Sequence, residues 1–433
     1  MKRMLFLLYH CLALCCLPFL LLFAVLHILY KPRYALFYLQ RFSLVLPGNI
    51  PRTRRRVWIH AVSVGEVLSC APLIRRLQKD DFAVYLSTGT QLGFQAAKTK
   101  YAGVEFFYFP FDIFFVMNRF VKRIDPDVVL LCELEIWPAF VRSVHQHDIP
   151  LYLVSGRMGD GDFRSYLLFK WFFKHIFPMF TGLFMQSEEY ARRMRQICSH
   201  DNIKTLGNVK FDSVWDPVNA KIARLLPEGL LVCAASTHKG DEDLIIRAYK
   251  RLTKEFSGTR LIIAPRHVHR VGEIIRLLKK NGLEYTLRSR NQKCLSQVFL
   301  VDTVGELMGI YAKCHLVIMG GSFSKRTGGH NIIEPALHKR CILCGNHMEN
   351  FRDIHHMFKQ ANALFPTSSN TLPDDLKKLL KDQKRATVIG EKAFSLVEKN
   401  RGVSEQIYRE VFNRIPVDSQ ADPEKSMHFA PGR

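Results

Sequence analysis

From Val57 onward the chain alternates short β-rich runs with helical patterns, and it does so twice. The first round has strand-like runs at Val57–Val62, Ala83–Ser87, Asp127–Cys132, Leu151–Ser155 and Gly182–Gln186. Helical patterns such as Leu68–Lys79 and Glu188–Cys198 lie between them. The second round begins after Asp212, with runs at Leu230–Ala235, Leu261–Ala264, Val298–Asp302, His315–Met319 and Cys341–Cys344. Apolar strands separated by helices predict parallel sheets covered on both faces. The length of 433 residues fits two such halves, since one core rarely serves more than about 250–300 residues. Asn208–Glu228, with Pro217 and Pro227, reads as the linker between them, and the polar tail from Pro416 reads as disordered. Facing sheets of this kind are expected to bind ligands just beyond their strand C-termini, in a cleft between the domains.

Ahead of this pattern, Met4–Tyr30 is 27 residues without Asp, Glu, Lys or Arg. That is enough to cross a bilayer core of about 30 Å. A cleaved signal peptide would carry an apolar core of only about 7–15 residues and a small-residue cleavage site. This run is longer and lacks such an end, so it reads as an uncleaved anchor. Lys2 and Arg3 precede it, whereas Lys31, Arg33, Arg41, Arg52, Arg54, Arg55 and Arg56 follow it. The bias puts the following domains on the cytoplasmic side. Tyr34–Leu46 is either an amphipathic helix on the membrane or a segment packed on the protein. The net charge of +23 asks for an acidic partner: anionic lipid, a phosphorylated substrate or nucleic acid. A composition of 48% hydrophobic and 23% charged residues excludes wholesale disorder. Eleven cysteines in a chain this long, several of them in apolar strands, indicate a reduced compartment. Cys341-x-x-Cys344 has no second pair and fits a buried strand better than zinc.

Three loops carry candidate chemistry. His60-Ala-Val-Ser-Val-Gly-Glu66 joins a strand to a helix, a turn able to offer backbone N–H groups to an anion. Glu66 in the first helical turn either complements the helix dipole or deprotonates a hydroxyl. Glu133-Leu-Glu135-Ile-Trp137-Pro138 follows a buried strand, and one of its acids is a candidate cap for the helix at Pro138. Gly320-Gly321-Ser322-Phe323, Gly328-Gly329-His330-Asn331 and Glu334-Pro335 form the third. Glycines after a strand, with a helix beginning near Asn331 and Glu334 about one turn inside it, suit a nucleotide, its phosphate at the helix start and its ribose on Glu334. Walker A, G-x-G-x-x-G and H-E-x-x-H patterns are missing from the sequence. On the same edge lie Pro265-Arg266, Gly305-Glu306 and Gly207–Asp212; each is either a surface charge or cap or part of a site, in which Lys210 would meet a leaving phosphate.

Six segments occur in order: HAVSVGE (His60–Glu66), ELEIWP (Glu133–Pro138), GNVKFD (Gly207–Asp212), APR (Ala264–Arg266), DTVGEL (Asp302–Leu307) and GGSF…GGHNIIEPA (Gly320–Ala336). Together they resemble the 3-deoxy-D-manno-octulosonic acid (Kdo) transferases of lipopolysaccharide synthesis, from the anchor to about Arg414. The resemblance implies a GT-B fold: two doubly wound Rossmann-like domains facing a cleft, with an N-terminal membrane-anchor helix. It implies an anchor at 4–30, an acceptor domain at 31–210, a donor domain at 211–415 and a tail at 416–433. It implies metal-independent, inverting transfer of one or more Kdo units from CMP-Kdo to the lipid A precursor, lipid IVA, with no cofactor. The place would be the cytoplasmic face of the cell inner membrane, with a single-pass anchor. Glu66 matches the family's general base, and Glu133 and Lys210 match its transition-state stabilisers, Glu135 remaining the alternative to Glu133. Pro265, Arg266, Val304, Gly305, Glu306, Asn331, Ile332, Ile333 and Glu334 match the CMP-contacting segments. Ser155–Asp160 (SGRMGD) departs from the family pattern while keeping Arg157. Two rivals are a sugar-nucleotide epimerase on a similar fold, which has no use for an anchor, and a basic nucleic-acid-binding membrane protein, for which no groove-reading or base-stacking module is present.

Overall fold

The computed structural model describes residues 2–212 and 220–413. The chain forms two compact units, Met1–Ser213 with Gly402–Arg433, and Val214–Arg401. The first holds a seven-stranded sheet: β1 (Arg56–His60), β2 (Ala83–Thr88), β3 (Glu105–Tyr108), β4 (Val128–Cys132), β5 (Leu151–Gly156), β6 (Gly182–Met185) and β7 (Ile203–Thr205). Its order is β3-β2-β1-β4-β5-β6-β7, and every pairing is parallel.

Parallel strands are joined by crossover helices, so both faces are covered and both must be apolar. The strand residues divide with period two. Val57, Ile59, Val84, Leu86, Val128 and Leu130 face one core with Ile74 and Leu77. Trp58, Tyr85, Val129 and Leu131 face the other, with Phe107, Phe120 and Phe140. The Trp58 indole meets its own polar need by donating to Ser87 Oγ at 2.8 Å.

The second unit repeats the plan with β8 (Leu230–Thr237), β9 (Thr259–Pro265), β10 (Tyr285–Leu287), β11 (Val298–Leu300), β12 (Leu316–Met319), β13 (Cys341–Cys344) and β14 (Phe365–Pro366). The order is β10-β11-β9-β8-β12-β13-β14, again parallel throughout. Cys341 and Cys344 both lie buried on β13. Three positions apart on a strand, they point to opposite faces and cannot share one metal ion.

Two boundaries differ from expectation. The second unit ends at Arg401, not near 415, because the helix Val403–Phe412 belongs to the first unit. Ile407, Val411 and Phe412 join its core. Asp212 accepts from Gly402 N at 2.7 Å and Ser404 N at 2.5 Å, which satisfies free amides at that helix start. The expected linker also contains a helix, Ala220–Leu225. The expected disordered tail, 416–433, lies outside the described residues.

The N-terminal helix runs Lys2–Tyr30 and is long and apolar enough to cross a membrane. Tyr34–Leu46 packs on the first unit: Phe37 meets Tyr108 at 4.8 Å, and Gln40 Oε1 accepts from Tyr108 N at 3.0 Å on edge strand β3. Part of the basic stretch after the anchor is spent inside the protein. Arg52 pairs with Asp125 and Asp127, and Arg54 with Asp81. Buried Arg56 donates to Ile124 O at 2.8 Å and Ile50 O at 2.6 Å.

Asp212→Ala should loosen the returning helix. The buried Ser404 amide and the part-buried Gly402 amide lose their acceptor, a cost of about 2 kcal/mol, and scanning calorimetry should show unfolding of the first unit shifted down by several degrees.

Candidate active site

In each sheet the strand order reverses direction at one point, and the crevice there opens beyond the strand carboxyl ends. In the first unit that point lies between β1 and β4. The loop after β1 turns at Ser63, which caps the helix Val64–Ser69. Glu66 is the third residue of that helix. Its carboxylate accepts from Val62 N at 2.9 Å, Ser63 N at 3.3 Å and Ser63 Oγ at 2.6 Å, completing a reciprocal capping box. The turn was expected to offer its amides to a bound anion; instead the Glu66 carboxylate occupies those of Val62 and Ser63. His60, at the end of β1, is a core residue stacked on Phe109 at 3.8 Å, and burial lowers its pKa to about 3.

Glu133 follows β4 directly and has a φ of +55°, left-handed for a residue that normally avoids it. Its Oε1 accepts from Lys210 Nζ at 2.7 Å. Lys210 lies on the 3₁₀ turn Val209–Asp212. A relay of side chains holds that turn. Asn208 Oδ1 accepts from Lys210 N at 2.9 Å, and Asn208 Nδ2 donates to Gln186 Oε1 at 3.0 Å. Gln186 Nε2 donates to Ser155 O at 3.0 Å, and Val209 N donates to Ser155 Oγ at 3.3 Å. Ser155, like Glu133, is left-handed, with a φ of +55°.

Glu66 is 8% exposed. Burial raises its pKa to about 7, reinforced by the nearby negative charges of Glu133 and Glu135, while the bonds from Ser63 and Val62 oppose the rise. Glu135 is also raised, first by burial and then by Glu133. The structure therefore brings Glu66, Glu133 and Lys210 into one half-buried cluster, with Glu135 acting on it electrostatically. Sequence reading gave Ser155, Gln186 and Asn208 no role, although Ser155 and Asn208 lie in segments it singled out. The first two stand at or just past strand ends, where the rule of looking beyond each strand would have found them.

In the second unit the order reverses between β8 and β12. Gly320 follows β12, and a Cβ there would lie 2.5 Å from Ser236 O and 2.6 Å from Thr237 Cα. Only glycine lets the two strand ends come this close. Asp241 Oδ2 accepts from His238 N at 2.9 Å and Gly321 N at 2.7 Å, tying the loops together. His238 and His330 stack with ring centres 5.0 Å apart and share a hydrogen bond of 2.7 Å between their Nε2 atoms. Burial lowers the pKa of both imidazoles, that of His330 to about 4. His238 is another residue the sequence reading passed over, although it stands just beyond β8.

The other expected donor residues sort by environment. Pro265 ends β9, and Arg266 N donates to Thr237 O at 3.0 Å on the same edge. Val304 is exposed and Gly305 is left-handed, with a φ of +83°. Glu306 is buried and paired with Arg288 at 2.9 Å. Ile332 and Ile333 are core side chains, which leaves only their backbone to meet a ligand. Asn331 Nδ2 donates to Glu334 Oε1 at 3.1 Å, and Asn331 Oδ1 accepts from Ile333 N at 3.0 Å. The helix starts at Ile333, so Glu334 sits in its first turn rather than one turn inside.

Two seven-stranded parallel sheets, each with a crevice at its reversal point, define a GT-B-like architecture. A crystal structure of UDP-N-acetylglucosamine 2-epimerase shares it, with a TM-score of 0.59 at 15% identity over 86% of this chain and 99% of that one. Residues 38–213 match the family model described as 3-deoxy-D-manno-octulosonic-acid transferase (kdotransferase). The 3-deoxy-D-manno-octulosonic acid transferase of Rickettsia felis is 32% identical over 319 residues, 71% of this chain and 68% of that one. The Haemophilus influenzae transferase is 27% identical over 412 residues, 92% and 96% of the two chains. The chain belongs to the Kdo transferase family and is a glycosyltransferase.

The raised Glu66 predicts a pH signature in stability. Its folded pKa of about 7 exceeds the ordinary value of 4.5. The folded state thus holds the extra proton between those values, and stability falls as pH climbs through that window. Glu66→Gln lacks the titration. Its melting temperature, measured by thermal denaturation against the parent from pH 5 to pH 8, should rise relative to it and level off above about pH 7.

Proposed function

We propose that the enzyme transfers Kdo from CMP-Kdo to lipid IVA, at the cytoplasmic face of the inner membrane to which the apolar N-terminal helix attaches it. The observation that carries the reading is the Glu66 carboxylate, raised to about 7 beside the Glu133–Lys210 pair in the first unit's crevice. A base tuned near the working pH is half ionised and still strong enough to take a proton from a sugar hydroxyl. In this reading Glu66 deprotonates the acceptor hydroxyl, whose oxygen attacks the anomeric carbon of Kdo as CMP leaves. One displacement inverts that centre. Glu133 and Lys210 stabilise the charge that develops. Their 2.7 Å ion pair holds the ammonium in one place, so little reorganisation is needed as charge moves.

The donor's CMP is assigned to the second unit's segments: Pro265-Arg266, Val304–Glu306 and Asn331–Glu334. Arg266 supplies a positive charge, the glycine-lined loops supply backbone N–H groups, and Glu334 suits ribose hydroxyls. In this reading the positive charge comes from side chains such as Lys210 and Arg266 and no metal is needed, so transfer should continue in EDTA.

The test is to incubate full-length protein in detergent with CMP-Kdo and lipid IVA and weigh the products. Mass increments of Kdo establish donor and acceptor and count the sugars added. Glu66→Ala should keep CMP-Kdo binding and lose transfer about 10²–10⁴-fold, the usual range for a general base. In the parent, the rate should rise through about pH 7 to a plateau as Glu66 ionises. Near-normal turnover in Glu66→Ala would sink the assignment.

A further inference from the structure

The apolar N-terminal helix touches the first unit at both of its ends. Near its start, the Tyr9 hydroxyl donates to Asp112 Oδ2 at 2.7 Å. Asp112 also accepts from Ala139 N at 3.0 Å and Phe140 N at 2.8 Å. One turn earlier, Phe6 is 5% exposed, lies 6.3 Å from Phe172 ring to ring, and carries the Arg142 guanidinium 4.8 Å from its centre. Near the other end, His27 Nδ1 shares a 2.8 Å hydrogen bond with the Tyr38 hydroxyl. Along the helix, Phe6, His10, Ala13, Leu17, Leu20 and Ala24 are buried or half-buried. Their spacing of three and four residues marks a single helix face.

Tyr9 and His27 are 18 residues apart, about 27 Å at 1.5 Å per residue, close to the thickness of the hydrocarbon core of about 30 Å. Were the helix to run along the membrane normal, Asp112 and Arg142 would lie a full bilayer away from Tyr38. All three belong to the same compact unit. A crossing helix would therefore drag charged and polar groups of that unit through the hydrocarbon, where they are strongly disfavoured. We propose that the helix Lys2–Tyr30 lies in the plane of the membrane along the first unit, with both ends on one side of the bilayer. This rests on the reading that the protein is membrane-attached, and it replaces the expected single-pass crossing.

An in-plane helix usually needs a polar face for water. Here the protein takes that side, and the remaining faces are apolar and open: Phe19 is 77% exposed and Leu29 73%. The occupant of those faces is a bilayer containing anionic phospholipid. Continuity supports this. Phe172 contacts both Phe6 and Tyr9, and the helices Asp160–Leu168 and Lys170–Phe173 extend the same apolar surface with exposed Leu168, Phe169 and Trp171. Lys170 and Lys174 flank it, as anionic headgroups favour. The arrangement also leaves Lys2 and Arg3 untranslocated, in keeping with the bias of positive charge toward the cytoplasm.

The test uses the full chain with one epitope before Met1 and another after Arg433, expressed in a Gram-negative host. Sealed inside-out and right-side-out inner-membrane vesicles are treated with protease. Both epitopes should disappear in the same vesicle orientation and survive in the other. Loss of the two epitopes in opposite orientations would establish a crossing helix and overturn the proposal while leaving membrane attachment intact. Recovery of the intact protein in the supernatant after a high-salt, carbonate wash would overturn both.

Discussion

A parallel sheet can be joined only by crossovers, and the crossovers bury both of its faces. Every interior strand must then be apolar on both sides, as β1 and β4 are, and the faces are closed to ligands. What remains is the edge where the strands end, and there the reversal of strand order parts two neighbouring loops. In the first unit the parted loops are those after β1 and β4, which carry Glu66 and Glu133. In the second they are those after β8 and β12, which carry His238 and the glycine-rich turn. The positions of the chemistry follow from a packing requirement that concerns the core alone.

The same edges hold the chain in costly conformations. Glu133, Ser155 and Ser236, each at or directly beyond the end of a strand, have φ of +55°, +55° and +53°. A left-handed non-glycine residue costs about 1–3 kcal/mol. The surroundings that hold them differ. Glu133 is fastened by Lys210 and Ser155 by the bonds to Val209 and Gln186, while Ser236 lies against Gly320, whose missing side chain makes room for it. At Ser155 and Ser236 the left-handed turn coincides with a slip of register, after which Gly156 pairs with Met185 and Thr237 with Pro265 as the strands end.

How much of this was legible in the sequence depended on burial. The ten runs read as strands are β1, β2, β4, β5, β6, β8, β9, β11, β12 and β13, the interior strands of the two sheets. The four passed over, β3, β7, β10 and β14, are the sheet edges, two to four residues long and paired on one side. An edge strand has less apolar surface to hide, so its pattern fades into loop. The helix Val403–Phe412 is tied to the first unit by Asp212, nearly two hundred residues away, and a contact that distant leaves no mark on the local sequence. Glu66, Glu133 and Lys210 were found because each lies in a short motif. The positions of Asn208 and Gln186 were within reach of the sequence, but the contact between them joins separate loops and leaves no local pattern.

Glu66 shows how capping and base chemistry coexist in one side chain. Three donors favour its ionised form, and by themselves they would lower its pKa. Burial and the charges of Glu133 and Glu135 outweigh them, and the net shift is upward. The balance has a geometric side as well. Ser63 N and Ser63 Oγ both meet Oε1, whereas Oε2 accepts from Val62 N. A carboxylate has about four acceptor positions, so these bonds fix its plane and leave a lone pair on Oε2. Lys210 neutralises Glu133, which restrains how far Glu133 raises its neighbour. An unpaired Glu133 would raise Glu66 further, and without Glu133 the Glu66 carboxylate would hold its proton less tightly. The ion pair is therefore as much a part of the base's tuning as the burial of the base itself.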